Sequence, residues 1–370
     1  MDIALLTLSA SDNCGSLLQA YALQSVLSDQ GHNVEILDFT TKKSKKMYRI
    51  FHPSYIRYPR KLTGIFLNYN KLKDQKNAYR DFRKKYLHMS VHQYRNSSDL
   101  AVIDGKYELV ICGSDQVWNT DMEDFDDAYL LKWCNISKKA GYAVSLGDKK
   151  NNDLNELNKK HIKKDEFIAF SVREKAAQCS LKRFLGWNVE LCLDPTLLLD
   201  YENWALMTDE HIVPETPYLF YYSYNYEDEI KNRMVAEFAE KMGLPVWVIN
   251  ISRWCDGRER KYGFHICKES GPIAFLSLIR YCQYVLVESF HGTIFSYIFK
   301  KQFFFLKNTD DNNLDDRIND IMEVLEIQNR VMHPNDILIK AMDTIDYEKE
   351  PVKLKALQEL SFDFIASLNN

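Results

Sequence analysis

The pattern with which the chain opens constrains its fold more than any other feature. Residues 2–8 are an apolar run, Ser9 to Ser16 a polar loop, 17–29 an apolar helical repeat halted by Gly31, and 34–39 a second apolar run. Strand, polar loop, helix and strand in that order predict a parallel sheet with crossover helices, whose ligands bind at loops following strand C-termini. The pattern returns in Tyr107 to Cys112, which ends at Gly113-Ser114-Asp115-Gln116, and in Lys139 to Val144, which ends at the small polar loop Ser145-Leu146-Gly147. A polar helix is expected over 152–164, then a short strand Phe167 to Phe170, with Ser171-Val172-Arg173-Glu174 opening the next helix. Leu191 to Thr196 closes this half.

The alternation restarts with an aromatic strand, Tyr218 to Tyr222, a helix over 227–242 and a strand Pro245 to Asn250. A helix over 272–281 leads into Tyr284 to Val287, then Glu288-Ser289-Phe290-His291-Gly292, a helix over 293–299 and a strand over 302–306. Helical patterns at 314–326 and 352–368 finish the chain. With 370 residues against the roughly 100–200 of one domain, the expectation is an α/β protein of two Rossmann-like domains facing across a cleft. Residues 1–200 form the first, 201–370 the second, and the last helix is expected to pack back on the first.

Composition excludes several classes. Charged residues are 27% of the chain, mixed in sign, with a net charge of −4, which argues against disorder and against nucleic acid as a partner. The acidic Asp2 stands where a signal peptide needs basic residues, and no apolar run approaches the roughly 20 residues of a membrane span, so a cytoplasmic protein is expected. The eight cysteines are scattered and never closely paired, which fits reduced buried thiols rather than a zinc knuckle or disulfide framework. No cofactor or metal is called for.

One segment departs from this balance. Residues 42–86 hold fifteen Lys and Arg against two Asp, interleaved with aromatic residues. A solvated helical face accounts for that. So does a surface that meets anionic lipid headgroups or a lipid-linked diphosphate, giving peripheral contact with the inner face of the cytoplasmic membrane.

Candidate site residues follow from the loops. His291 comes after a buried strand and before a helix, where an imidazole can deliver a proton or pair with an anion, although a lone histidine is often structural. Ser289, Gly292 and Thr293 surround it at a helix N-terminus, an arrangement that suits an anion and equally suits helix capping. Arg173 sits at another helix mouth, where a guanidinium grips a carboxylate or phosphate, or pairs with an acid such as Glu174. The first loop lacks the three glycines of a dinucleotide fingerprint and the pattern of a P-loop. It offers Asp12 and Asn13, as a base and a hydroxyl ligand or as turn residues. Gly113 to Asn119 packs Ser114, Asp115, Gln116 and Trp118 into one loop, a density that suits a carbohydrate's hydroxyls and apolar face, or a capped turn with Trp118 in the core.

Six blocks taken together resemble the polysaccharide pyruvyl transferases: Asn13 and Gly15 before Leu18-Gln19-Ala20-Tyr21-Ala22-Leu23, Gly113 to Asn119, Tyr142 to Gly147, Ser171 to Glu174, Asp194-Pro195-Thr196-Leu197-Leu198, and Ser289 to Gly292. The resemblance implies a GT-B-like fold, phosphoenolpyruvate as donor, and a sugar diol of a surface polysaccharide or its lipid-linked precursor as acceptor. The products it implies are a pyruvate ketal and phosphate. By the same resemblance His291 is the catalytic candidate; the donor's chemistry then leads to the expectation that a loop carboxylate, Asp12 or Asp115, takes the hydroxyl protons. Arg173 binds the donor anion with Ser289, Gly292, Thr293 and Ser145, and Asn13, Ser114, Gln116 and Trp118 meet the acceptor. Cys14 departs from the family, which commonly has an aromatic there. A GT-B glycosyltransferase using a nucleotide sugar and a non-catalytic polysaccharide-assembly scaffold are the alternative readings.

Overall fold

The computed structural model describes residues 1–147, 154, 157, 159–307, 314–332 and 344–369. Its strands form two sheets in which every pairing is parallel. The first contains β1 (Asp2–Leu6), β2 (Asn33–Phe39), β3 (Met89–Tyr94), β4 (Leu109–Asp115), β5 (Lys138–Val144), β6 (Ala169–Val172) and β7 (Glu190–Leu191), in the order β3-β2-β1-β4-β5-β6-β7. The second contains β8 (Leu219–Tyr222), β9 (Val246–Val248), β10 (His265–Ile266), β11 (Tyr284–Val287), β12 (Gln302–Leu306) and β13 (Val331–Met332), in the order β10-β9-β8-β11-β12-β13. Each sheet reverses its direction of winding once, between β1 and β4 and between β8 and β11. Crevices for ligands open at the carboxyl ends of such strand pairs. Here the two crevices meet, because Asn13, after β1, donates from Nδ2 to the Tyr224 hydroxyl, after β8, at 3.2 Å.

The helix Cys14–Asp29 joins the lobes. Asn13 caps it by accepting from the Ser16 amide, and Leu17, Leu18, Ala20, Ala22, Leu23, Val26 and Leu27 are buried around its circumference. A helix apolar on all sides needs cover on all sides. The first sheet supplies one face, and the helices Gly271–Tyr281 and Phe290–Ile298 of the second half supply another. One apolar cluster therefore runs through both halves, with Trp204 tilted against Tyr21 and edge-to-face with Phe295 at ring distances of 5.8 and 4.8 Å. The last helix, Val352–Ser367, returns to the first sheet, where Ser361 Oγ accepts from the Leu193 amide at 2.9 Å.

The basic segment is more than a solvated face. Its long helix, Tyr69–Tyr86, buries Leu72, Tyr79 and Phe82 along one stripe and lies against helix 271–281. A Cβ on Gly64, in the helix Pro59–Leu67, would lie 1.8 Å from the Cys255 carbonyl oxygen, so this short helix rests directly on the second half.

Several boundaries differ from the sequence reading. β6 lies two residues later than expected, so Ser171 and Val172 end the strand and the helix begins at Lys175. The reason is Phe167, which turns inward to Trp118, Phe170 and Trp187 instead of extending the strand. The edge strand β3 has no counterpart in the sequence reading, and the helix expected over 152–164 does not continue to its end: 159–161 are turns and Lys164 opens a 3-10 turn, while 152, 153, 155, 156 and 158 lie outside the described residues.

Candidate active site

Arg173 and His291, 118 positions apart in the chain, converge on one carboxylate. Asp194 caps the turn Pro195–Leu198 through the Thr196 amide, and this fixes its second oxygen between the lobes. Arg173 Nη1 donates to Asp194 Oδ2 at 2.7 Å, and His291 Nε2 lies 3.3 Å from the same oxygen without hydrogen-bond alignment. Arg173 also donates from Nε to Glu174 at 2.9 Å and stacks 4.2 Å above the Phe290 ring. All four polar groups are buried, with Arg173 at 7% and His291 at 8% exposure.

Burial is the dominant cost for these charges, and their neighbours decide the outcome. It would raise the Asp194 carboxyl, but His291, then Arg173 and Thr196, hold it well below the usual carboxylate range. Burial would favour a neutral guanidinium, yet Glu174, Asp194 and Asp115 keep Arg173 firmly protonated. At Glu174 burial prevails and raises the carboxyl despite Arg173.

Gly15 explains how the imidazole fits. A Cβ at this position would stand 2.2 Å from His291 Nδ1, so the histidine ring packs directly on the first turn of helix 14–29. Above this floor is a cleft of about 520 Å³, lined from the first half by Asn13, Ser16, Asp115 and Arg173 and from the second by Tyr224, Arg253 and His291. Lys307 and Arg317 line it as well, Arg317 being paired with Asp315. Arg173 Nη2 is buried without a hydrogen-bond partner, a donor that an anion in the cleft can satisfy.

The other expected residues divide. Asp115 lines the cleft at φ 75, accepting from Ser16 Oγ at 2.7 Å and from the Gln116 amide at 2.9 Å, and Arg173 Nη1 stands 3.9 Å away. Gln116 also lines the cleft, its side-chain oxygen accepting from Asn119. Ser289 lines it and caps helix 290–298 by accepting from the Gly292 amide at 2.9 Å. Ser145, fully buried, accepts from the Gly147 amide and sits beside Glu174, behind the cleft wall.

Five expectations need correction. Trp118 is fully buried, donates its indole N–H to the Tyr129 carbonyl and packs on Phe170, so it cannot face an acceptor. Ser114 is fully buried and spends its hydroxyl on the Ala143 carbonyl. Thr293, also fully buried, donates back to the Ser289 carbonyl. Gly292 spends its amide on the helix cap, donating to Ser289 Oγ at 2.9 Å, so it offers no free N–H to a donor anion. Asp12 is not among the residues that line the cleft, and Arg83 holds its carboxylate, with Nη2 at 3.0 Å.

Sequence reasoning gave no role to Asp194 or Gly15, although both lie inside the quoted blocks. The profile of the polysaccharide pyruvyl transferases matches residues 13–311. The chain belongs to this family. Membership places it among transferases and implies a polysaccharide acceptor. No curated protein matches its sequence. Among solved structures it is similar to a UDP-N-acetylglucosamine 2-epimerase from Neisseria meningitidis bound to UDP-GlcNAc, with a TM-score of 0.57 at 9% identity over 100% of both chains. A putative UDP-N-acetylglucosamine 2-epimerase from Listeria monocytogenes gives 0.57 at 9% identity, over 98% of this chain and 94% of that one. The UDP-GlcNAc 2-epimerase of Methanocaldococcus jannaschii gives 0.54 at 14% identity, over 98% and 99%. These likenesses show the GT-B fold of this pyruvyl transferase family member.

Proposed function

We propose that the protein transfers a pyruvyl group from phosphoenolpyruvate to a sugar diol, forming a cyclic ketal and releasing phosphate. The observation that carries this reading is the sharing of Asp194 Oδ2 by a guanidinium and an imidazole from opposite lobes. The donor is a small polyanion whose methylene carbon must gain a proton before its enol carbon can be attacked. Arg173, whose Nη2 is buried without a hydrogen-bond partner and which lines the cleft, suits the anionic groups.

In this mechanism His291 carries the proton and Asp194 orients it and supports its charge. The first hydroxyl adds to the enol carbon as the methylene becomes a methyl group. Phosphate then leaves, and the second hydroxyl closes the ring. Of the two hydroxyl protons released, one ends on the methyl group and one on phosphate, so no net acid is consumed. Asp115, a carboxylate that lines the cleft, takes a hydroxyl proton in this scheme. The test is incubation with phosphoenolpyruvate and a panel of glycosides, following phosphate release and a mass gain on the sugar. Calorimetry showing binding of a nucleotide sugar and none of phosphoenolpyruvate would transfer the site to glycosyl transfer.

Peripheral membrane contact through 42–86 belongs to the same reading. Among the described residues no helix is long and apolar enough to cross a membrane. Ile56, Tyr58, Phe66 and Leu67 are exposed, Leu67 at 81%, among Arg57, Arg60 and Lys61. Apolar side chains ringed by cations suit the inner face of an anionic bilayer. Flotation with phosphatidylglycerol vesicles, weakened by salt and abolished by F66D with L67D, is the expected result; equal flotation of the double variant removes the contact.

A further inference from the structure

Beside the catalytic cleft runs a second depression of about 380 Å³, within the roughly 300–1,000 Å³ of small-molecule sites. Its walls come from the 42–86 segment on one side and from the loop after β8 on the other. Six of its lining residues are tyrosines: Tyr48, Tyr55, Tyr79, Tyr222, Tyr224 and Tyr226. Three are structural, since Tyr79 and Tyr222 are nearly inaccessible and Tyr226 is 9% exposed. Tyr48 and Tyr55 are half-buried and Tyr224 is 38% exposed, so these rings present surface to the groove. Asn250, held by the Tyr79 hydroxyl at 3.1 Å, and Asn13 add amides.

Charge in this groove is one-sided. Arg49, Lys61, Lys76 and Arg253 line it, while Asp12, its one carboxylate among the described residues, is already held by Arg83. Lys61 Nζ stands 4.5 Å from the Tyr55 ring centre. Asn13, Met47, Tyr48, Tyr224 and Arg253 line both this groove and the cleft above His291, so the two spaces share a wall.

We propose that this groove is the acceptor site and takes a pyranoside bearing an anionic substituent, a phosphate or a carboxylate. Aromatic rings stack on the apolar C–H face of a pyranose, amides bind its hydroxyls, and the cations hold the anion. The inference rests on the pyruvyl-transfer reading only for the direction in which the diol points, toward His291. The groove also replaces Ser114 and Trp118 as the source of acceptor contacts, since those side chains are turned inward.

The test is saturation-transfer NMR without phosphoenolpyruvate, using hexose 1-phosphates, methyl glucuronide and neutral methyl hexosides. The expected result is transfer to ring C–H protons of an anionic sugar, with at least tenfold weaker binding in Y224A and Y55A and binding within threefold of wild type in Y224F. In K61A the charged probes should weaken more than the neutral ones. A preference for the hexose phosphates identifies a phosphate-linked acceptor, and a preference for the glucuronide an acidic sugar. Transfer to none of the probes, or transfer unchanged in both alanine variants with melting temperatures unaltered, overturns the assignment. Equal binding of neutral and charged sugars overturns its anionic part. Pyruvylation by wild type with an acceptor KM unaltered in Y224A would sink the groove alone, and groove binding without phosphoenolpyruvate turnover would sink the transfer chemistry alone.

Discussion

At the floor of the cleft, Arg173, Glu174, Asp194 and His291 are each more than nine-tenths buried and lie against one another. In the adjoining groove, Tyr224 is 38% exposed and Arg49 faces solvent. A buried, mutually paired cluster is held in one geometry, and disturbing one member strands the others. An exposed aromatic and cationic wall adapts to what it meets. Substitutions at the floor should therefore strike chemistry and stability together, while those in the groove should strike recognition alone.

The largest separation is expected from H291A. It should lower turnover by roughly 10²- to 10⁴-fold, the usual worth of a positioned acid or base, with phosphoenolpyruvate affinity within a few-fold. Single-turnover kinetics with donor calorimetry measures both, and near-normal turnover would take His291 out of the mechanism. D194N comes next. It leaves Arg173 short of a buried partner and should cost roughly 3–5 kcal/mol in denaturant unfolding, besides slowing turnover. A smaller loss, on the order of 10-fold in kcat, is expected of G15A, whose methyl group would displace the imidazole rather than remove it. An unmoved kcat would mean that the ring does not need its present place.

Acid should reveal the floor as well. The Asp194 carboxyl is held below its ordinary range in the folded protein, so its stabilisation is complete above about pH 4 and is lost as pH falls. Unfolding free energies between pH 2 and 4 should fall less steeply in D194N; an identical slope would show that Asp194 gains nothing from its neighbours. The smallest effect on function is expected of W118F, which should lower stability and leave the acceptor KM unchanged. A raised KM would bring the indole back into acceptor binding.

Much of the fold was legible because each sheet repeats one local pattern, an apolar strand, a polar loop and a helix. The long strands β2, β5 and β12 and the helix 271–281 emerge within a residue of where periodicity places them. The two-residue strands β7, β10 and β13 carry too little sequence to show a period, and β3 breaks it, lying on an edge with Val91, His92 and Gln93 all exposed. At the site, Arg173 and His291 were visible from their places after strands. Asp194 was not, because its local sequence announces only the cap on Thr196, while both partners that matter are distant in the chain. Trp118 misled for a related reason. An indole in a polar loop looks the same whether it turns toward a sugar or inward, and Phe167, Phe170 and Trp187, all much later in the sequence, decide the direction. Arg83 could not be matched to Asp12 from sequence either, since the two are 71 positions apart.

The wedge-like helix 14–29 has a kinetic consequence. Swinging the lobes widely apart would expose Leu17, Leu18, Phe275 and Phe295 to water, at about 1.5–3 kcal/mol for each large side chain. Such a penalty makes gross breathing of the molecule rare on the timescale of a reaction cycle. Release is therefore expected to use local rearrangement at the cleft mouth in place of lobe separation.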